Sequence, residues 1–399
     1  MKVLFLNQFF PPDLAPTGQM AMDLAHELIA RGHSVSALTG QASYVGGKRL
    51  AREEVLNGVE IHRVATTSFG RRSVLHRLAD YSSFYVTATA ELARLPRHDV
   101  VITMTSPPLI SMAGPLAQRL KKSAFVYWVH DLYPEAAIAF GVMKTGSATA
   151  RAAAATSRFT LSRADRTVVL GEAMKERVVV AGAREDRVSI IPNWIDDEVV
   201  TPIPHSKNPL RAELSRGRKC LVMYSGNIGR GHDVETLLAA ARKLSDEKEL
   251  GFVFIGEGVK REEGERAAQQ LPNGWRAPYA PREQLAQSLS AADIHFISLS
   301  NELVGLLEPS KLYGVMAAGR PAIFVGPGRS EVALTVEREG CGVRVDNGDV
   351  EGLMNAIVTF AENKAKREAF GARGRSALSA RYSRKRAAAR WDAVLRELR

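Results

Sequence analysis

Runs of four to six apolar residues alternate along the chain with longer segments whose apolar positions recur at helical spacing. The first run, 3–7, leads into a helical segment at 18–31 patterned by Met20, Leu24, Leu28 and Ile29. Gly32 and His33 close that helix ahead of a strand at 34–38. Further strands are predicted at 59–64, 100–104, 124–130, 167–170 and 189–191. Such alternation specifies an α/β fold, a parallel sheet covered by helices on both faces.

Residues 202–209 hold three prolines and no apolar periodicity, so they read as a linker. The pattern then restarts, with strands at 220–225, 251–255, 294–297 and 322–325 and helices at 234–245, 261–270 and 309–318. Two doubly wound units without sequence repetition predict two facing domains with a site between them.

A length of 399 residues allows each unit its own core, and 45% hydrophobic with 24% charged residues is globular composition. The two cysteines, Cys220 and Cys341, sit in apolar or Gly-rich surroundings and are expected as buried thiols, placing the chain in the cytoplasm. The first apolar run is too short for a signal peptide, and no apolar run reaches the length of a membrane span. Residues 364–399 carry twelve Lys and Arg against three acids, so this tail supplies +9 of the net charge of +11. No helix-turn-helix, zinc-finger or RNA-binding signature accompanies the charge, so nucleic acid is not the expected partner. A solvated basic helix or attraction to anionic lipid remains.

In open parallel sheets ligands sit beyond the carboxyl ends of the strands. Five loops there carry candidate chemistry. Thr17 and Gly18 open the first helix, where free backbone N–H groups suit an oxyanion. His130 and Asp131 end a strand, an imidazole beside a carboxylate that suits a sugar hydroxyl. Gly226, Asn227, Gly229 and Arg230 form a Gly-rich loop with G-x-x-G-x-G spacing, which is neither the dinucleotide fingerprint nor a P-loop. Glu257 lies between two glycines of the next loop. Glu308, Ser310, Lys311 and Leu312 stand at a helix start, where Lys311 opposes the helix dipole and a bound anion would explain its placement.

Together these residues resemble glycosyltransferase family 4, retaining enzymes with the two-Rossmann GT-B architecture, and among them bacterial enzymes of capsule, O-antigen and colanic-acid assembly. The matching stretches are 7–18, 130–135, 191–196, 224–230 and 309–313 with 316–321, in the family's order across nearly the whole chain. The resemblance implies an acceptor-side domain at 1–199, a nucleotide-sugar domain at 200–380, and a basic helix at 381–399 packing back toward the first. It places Thr17 and Gly18 near the donor phosphates, His130 or Asp131 near the transferred sugar, and the 226–231 loop with Ser310 around the diphosphate. The base falls near Tyr279. Two departures stand out. The family's glutamate pair falls at Leu306 and Gly314, leaving Glu302 and Glu308 nearby at other spacing. Its diphosphate-gripping arginine and lysine fall at Asn227 and His232, so Arg230 and Lys311 are expected to supply the charge instead.

The implied reaction moves a sugar from a UDP- or GDP-linked donor, a UDP-amino sugar first, to a glycan or polyprenyl-diphosphate-linked acceptor, without cofactor or metal. The chain has no Asp-x-Asp motif or His/Cys cluster to hold one. The alternatives are a non-catalytic nucleotide-sugar or glycan-binding module, and a hydrolase or epimerase on the same scaffold. A helix at 77–95 is expected to turn Leu78, Tyr81, Tyr85 and Leu92 toward lipid, beside Arg71, Arg72 and Arg77, on an anionic inner membrane face.

Overall fold

The computed structural model describes residues 1–13, 15–43, 49–70, 74–226, 229, 231–256 and 271–398. Contacts divide the chain into two compact units. The first comprises 1–192, Gly305–Leu307 and Ala387–Arg399; the second comprises Asn193–Val304 and Glu308–Arg386. The division after Pro192 thus falls ahead of the expected linker at 202–209, and two short later segments also belong to the first unit.

The first unit is built on an eight-stranded sheet. Its strands are β1 (Lys2–Leu6), β2 (Ser34–Gly40), β3 (Glu53–Leu56), β4 (Val59–Val64), β5 (Val100–Thr103), β6 (Ala124–Trp128), β7 (Arg166–Val169) and β8 (Val188–Ile190). They lie in the order β3-β4-β2-β1-β5-β6-β7-β8, parallel apart from the β3–β4 pair. Central strands read as continuous apolar runs because helices cover both faces; Val3 to Leu6 and Val126 to Val129 are fully buried or nearly so. The first helix, Pro16–Ala30, starts with proline at its first position, two residues before the predicted start.

The helix Val74–Arg94 corrects the expected lipid face. Phe84, Ala88 and Leu92 are in the core, and Tyr85 packs against it with its hydroxyl donating to the Pro108 carbonyl. Among the described residues, the large apolar side chains exposed on this helix are Leu75, Leu78 and Val86, at 76%, 53% and 71% exposure. Arg71 and Arg72 lie outside the described residues.

The second unit carries a six-stranded parallel sheet in the order β11-β10-β9-β12-β13-β14. Its strands are β9 (Cys220–Ser225), β10 (Leu250–Ile255), β11 (Gly274–Ala277), β12 (Ile294–Ser298), β13 (Ala322–Val325) and β14 (Gly342–Val345). Cys220 and Cys341 are buried free thiols. The predicted helix at 261–270 lies outside the described residues. The helix read at 309–318 is shorter, Lys311–Ala317, with all residues from Leu312 to Ala317 buried.

Candidate active site

The carboxyl ends of both sheets gather the candidate residues, and each unit makes its own group. In the first unit the loop after β1 turns back over the sheet edge. Arg63, buried on β4, donates to the Pro11 carbonyl at 2.9 Å, and Gln19 donates to the Asp13 carbonyl at 2.6 Å. Asn7 donates to the Thr17 hydroxyl at 3.2 Å, tying the end of β1 to the helix start. Gly18 is required by close approach: a Cβ there would lie 2.7 Å from the Phe9 carbonyl oxygen. Gly18 is thus buried under the Phe9–Phe10 backbone at the start of this helix, with Thr17 beside it tied to Asn7.

His130 follows β6 and is buried against Trp128, ring centroids 4.6 Å apart. Trp128 in turn meets Trp391 of the C-terminal helix edge-on at 4.8 Å. Burial lowers the His130 pKa to about 3, so the imidazole is neutral, and its Nε2 has no hydrogen-bond partner among the described residues. Asp131 pairs as an isolated bridge with Leu307, while the Leu132 N–H donates to the Leu306 carbonyl at 2.8 Å. Desolvation raises the Asp131 pKa to about 6. The Trp128–Trp391 pair was not legible as part of this group, because its partners are joined only by the fold.

In the second unit, β9 is followed at once by Gly226, whose φ of +132° strongly favours glycine. A Cβ on Gly226 would lie 2.4 Å from Lys311 Cε, and one on Gly256 would lie 2.0 Å from the Gly226 carbonyl oxygen. These glycines let three loops converge. Lys311 Nζ sits 3.0 Å from His232 Nε2 and 5.0 Å from the centre of the Tyr224 ring. His232 Nδ1 faces the Ser298 carbonyl at 2.7 Å, so Nδ1 carries the proton and Nε2 accepts from the ammonium. Desolvation pulls the Lys311 pKa from 10.5 to about 7. His232, read only as a departure from the family's lysine, is thus a direct neighbour of the lysine expected to replace it.

Glu308 is partly buried, with one carboxylate oxygen 3.5 Å from the Glu331 N–H and the other buried without a partner among the described residues. Desolvation, with the nearby Glu331 charge adding to it, raises its pKa to about 8. Ser310 precedes the short helix and makes no side-chain cap bond. Leu312 is wholly buried, so its side chain belongs to the core and any donor contact from it would come from the backbone. Tyr279 is 54% exposed beyond β11, close enough to Tyr224 for their hydroxyls to interact electrostatically. Asn227, Arg230 and Glu257 lie outside the described residues; Gly229 lies within them, and its carbonyl accepts from the His232 N–H at 3.3 Å. Among the described residues no group of three His, Cys, Asp or Glu is close enough to hold a metal ion.

Two Rossmann-like units with ligand-facing loops at their carboxyl ends define the GT-B class of glycosyltransferases. Residues 17–194 match the glycosyl transferase 4-like domain and residues 219–363 match the glycosyl transferases group 1 domain. The chain is 30% identical over 312 residues to the probable glycosyltransferase WbjE of Pseudomonas aeruginosa, covering 77% of this chain and 76% of WbjE. It is 26% identical over 374 residues to the colanic acid biosynthesis glycosyl transferase WcaI of Escherichia coli (strain K12), covering 90% and 91%. The crystal structure of Anabaena HepE in complex with UDP-glucose superposes with a TM-score of 0.73 at 15% identity, covering all of both chains. The chain belongs to glycosyltransferase family 4 and is a glycosyltransferase.

Proposed function

We propose that the enzyme transfers a sugar, with retention, from a UDP-linked donor to a polyprenyl-diphosphate-linked or glycan acceptor in surface polysaccharide assembly. Lys311 carries this reading: a cation held out of water beside Gly226, at the end of the second sheet where a donor diphosphate belongs. A diphosphate there would hold the ammonium in its charged form and offset charge building on the leaving group. UDP is favoured because HepE, with the same fold, was crystallised with UDP-glucose; the name of WcaI supports polysaccharide assembly, and the acceptor class follows the family resemblance.

Within the first unit His130, neutral and with a free ring nitrogen, suits a sugar hydroxyl; within the second, protonated Glu308 suits a hydroxyl as donor. Retention then needs no protein nucleophile: the acceptor attacks from the face the diphosphate leaves, and a donor phosphate oxygen takes its proton. The chain works on an anionic membrane surface, with Leu75, Leu78 and Val86 of the helix Val74–Arg94 entering the headgroup layer. No helix among the described residues is long and apolar enough to cross a membrane.

Incubation with UDP-sugars and a short polyprenyl-diphosphate sugar in EDTA tests this, with NMR of the product's anomeric centre. Product with the donor's anomeric configuration is expected. Inverted product, a requirement for metal, or release of free sugar alone would overturn it.

A further inference from the structure

At the opposite end of the second sheet, by the amino ends of β9, β12 and β13, lies a cavity of about 520 Å³. Ligand sites of such sheets belong at the carboxyl ends, so this cavity is separate from the group around Lys311. Its floor is Asp293, 5% exposed, which accepts from the Leu221 N–H at 2.8 Å and pairs with Arg211 at 2.7 Å. That one carboxylate is outnumbered. Arg367 lies 3.6 Å from its other oxygen, and Arg320 reaches the Ser290 and Ile203 carbonyls at 2.7 and 3.1 Å.

Carbonyls accept from these guanidiniums but leave their charge unbalanced. Lys219, paired with Glu249, and Lys364, 3.7 Å from Glu368, stand at the wall, so the excess of positive charge comes from the three arginines against Asp293. Arg320 also keeps a buried Nε with no partner among the described residues. The field is felt by the neighbouring imidazole: burial first, then the charges of Arg320 and Arg211, hold His205 below its usual pKa. The cavity further borders the start of the helix Lys364–Ala377, a 14-residue helix whose first turn holds Lys364, Lys366 and Arg367 and no acid. Cations at a helix N-terminus oppose its dipole, and a bound anion would reverse that penalty.

We infer that this cavity binds a phosphate-type anion, either free or carried on a small organic group. Arg320 and Arg367 form its inner wall and Lys219 and Lys364 its rim.

Thermal shift and calorimetry on the full chain, with inorganic phosphate, pyrophosphate and glycerol phosphate against chloride at equal ionic strength, test the site. Stabilisation by the phosphates beyond chloride is expected, and it should persist with the donor site saturated by UDP. The rim variant K219Q/K364Q changes partly solvent-exposed side chains and should keep the fold and transfer kinetics. It should weaken phosphate binding by about ten-fold or more, the effect of lost charge-assisted contacts. Binding of glycerol phosphate as tightly as phosphate would identify a carried group, and binding of the inorganic ions alone a free one. An effect equal to chloride, loss of the effect under UDP, or an unchanged affinity in the rim variant would each overturn the inference.

Discussion

Lys311 donates to His232, whose other ring nitrogen donates to the Ser298 carbonyl, so one proton is fixed on the imidazole and the next position is held by the lysine. The pair therefore presents one positive charge at most while His232 stays neutral. Because desolvation holds the Lys311 pKa near 7, that charge is itself conditional on pH.

Donor binding should accordingly take up a proton above pH 7. A nucleotide-sugar diphosphate favours charged Lys311, so its Kd should rise by up to about ten-fold per pH unit above that point. Calorimetry in buffers of different ionisation heat measures the uptake directly. In the unliganded protein the sign runs the other way. Between about 7 and 10.5 the unfolded chain holds one proton more than the folded one, so stability rises with pH across that window. Lys311→Met should remove both dependences and lower kcat/KM by about ten- to hundred-fold. A Lys311→Met enzyme with an unchanged pH profile would place the donor elsewhere.

Gly226→Ala should act on the same lysine. The added methyl meets Lys311 Cε at 2.4 Å and sits on a backbone with positive φ, so the side chain must leave its place beside His232. Donor affinity should fall about ten-fold, with about 1–3 kcal/mol lost in stability. Fluorescence titration with a donor and a denaturant melt separate the two effects.

Trp391→Ala should reach His130 through Trp128. Trp391 is fully buried, and its removal is expected to destabilise the chain by about 3–5 kcal/mol. Trp391→Phe keeps an aromatic edge and should retain most of the stability. With folded Trp391→Phe, a fall in kcat at unchanged donor KM would show that the stack sets the imidazole's position. Equal kinetics would limit the stack to packing.

The outward side of the helix Val74–Arg94 gives a membrane test with little structural penalty. Leu75→Ser, Leu78→Ser and Val86→Ser alter exposed residues, so each should change stability by less than about 0.5 kcal/mol. Together they should reduce flotation with anionic vesicles by about ten-fold or more. Equal flotation of wild type and the triple variant would exclude this face.

Much of the architecture was readable because doubly wound units write themselves as apolar runs separated by amphipathic segments. Lys311 and Gly226 could be singled out locally, since a cation at a helix start and a glycine after a strand each break a local preference. The partners could not. Glu308 owes its raised pKa to burial and to Glu331, and His130 lies against a tryptophan stack completed by residue 391. The lipid-facing reading went wrong at Leu92 and Tyr85, though not at the exposed Leu78, for a related reason. The helix carries apolar residues on two sides, and periodicity alone does not say which side meets the core, so Leu92 and Tyr85 were exchanged for Leu75 and Val86.

The three residues Gly305–Leu307 belong to the first unit although the chain on either side belongs to the second. They supply the Leu306 carbonyl and the Leu307 bridge that hold the strand end bearing Asp131 and Leu132. The two halves are therefore not independent cassettes. Recombination between relatives at residue 192 alone would leave one parent's 131–132 loop resting on the other parent's tripeptide, and its Trp128 on the other parent's C-terminal helix. Exchange of the second unit by chimera, in the laboratory or in a lineage, has to carry 305–307 and 387–399 with the first unit.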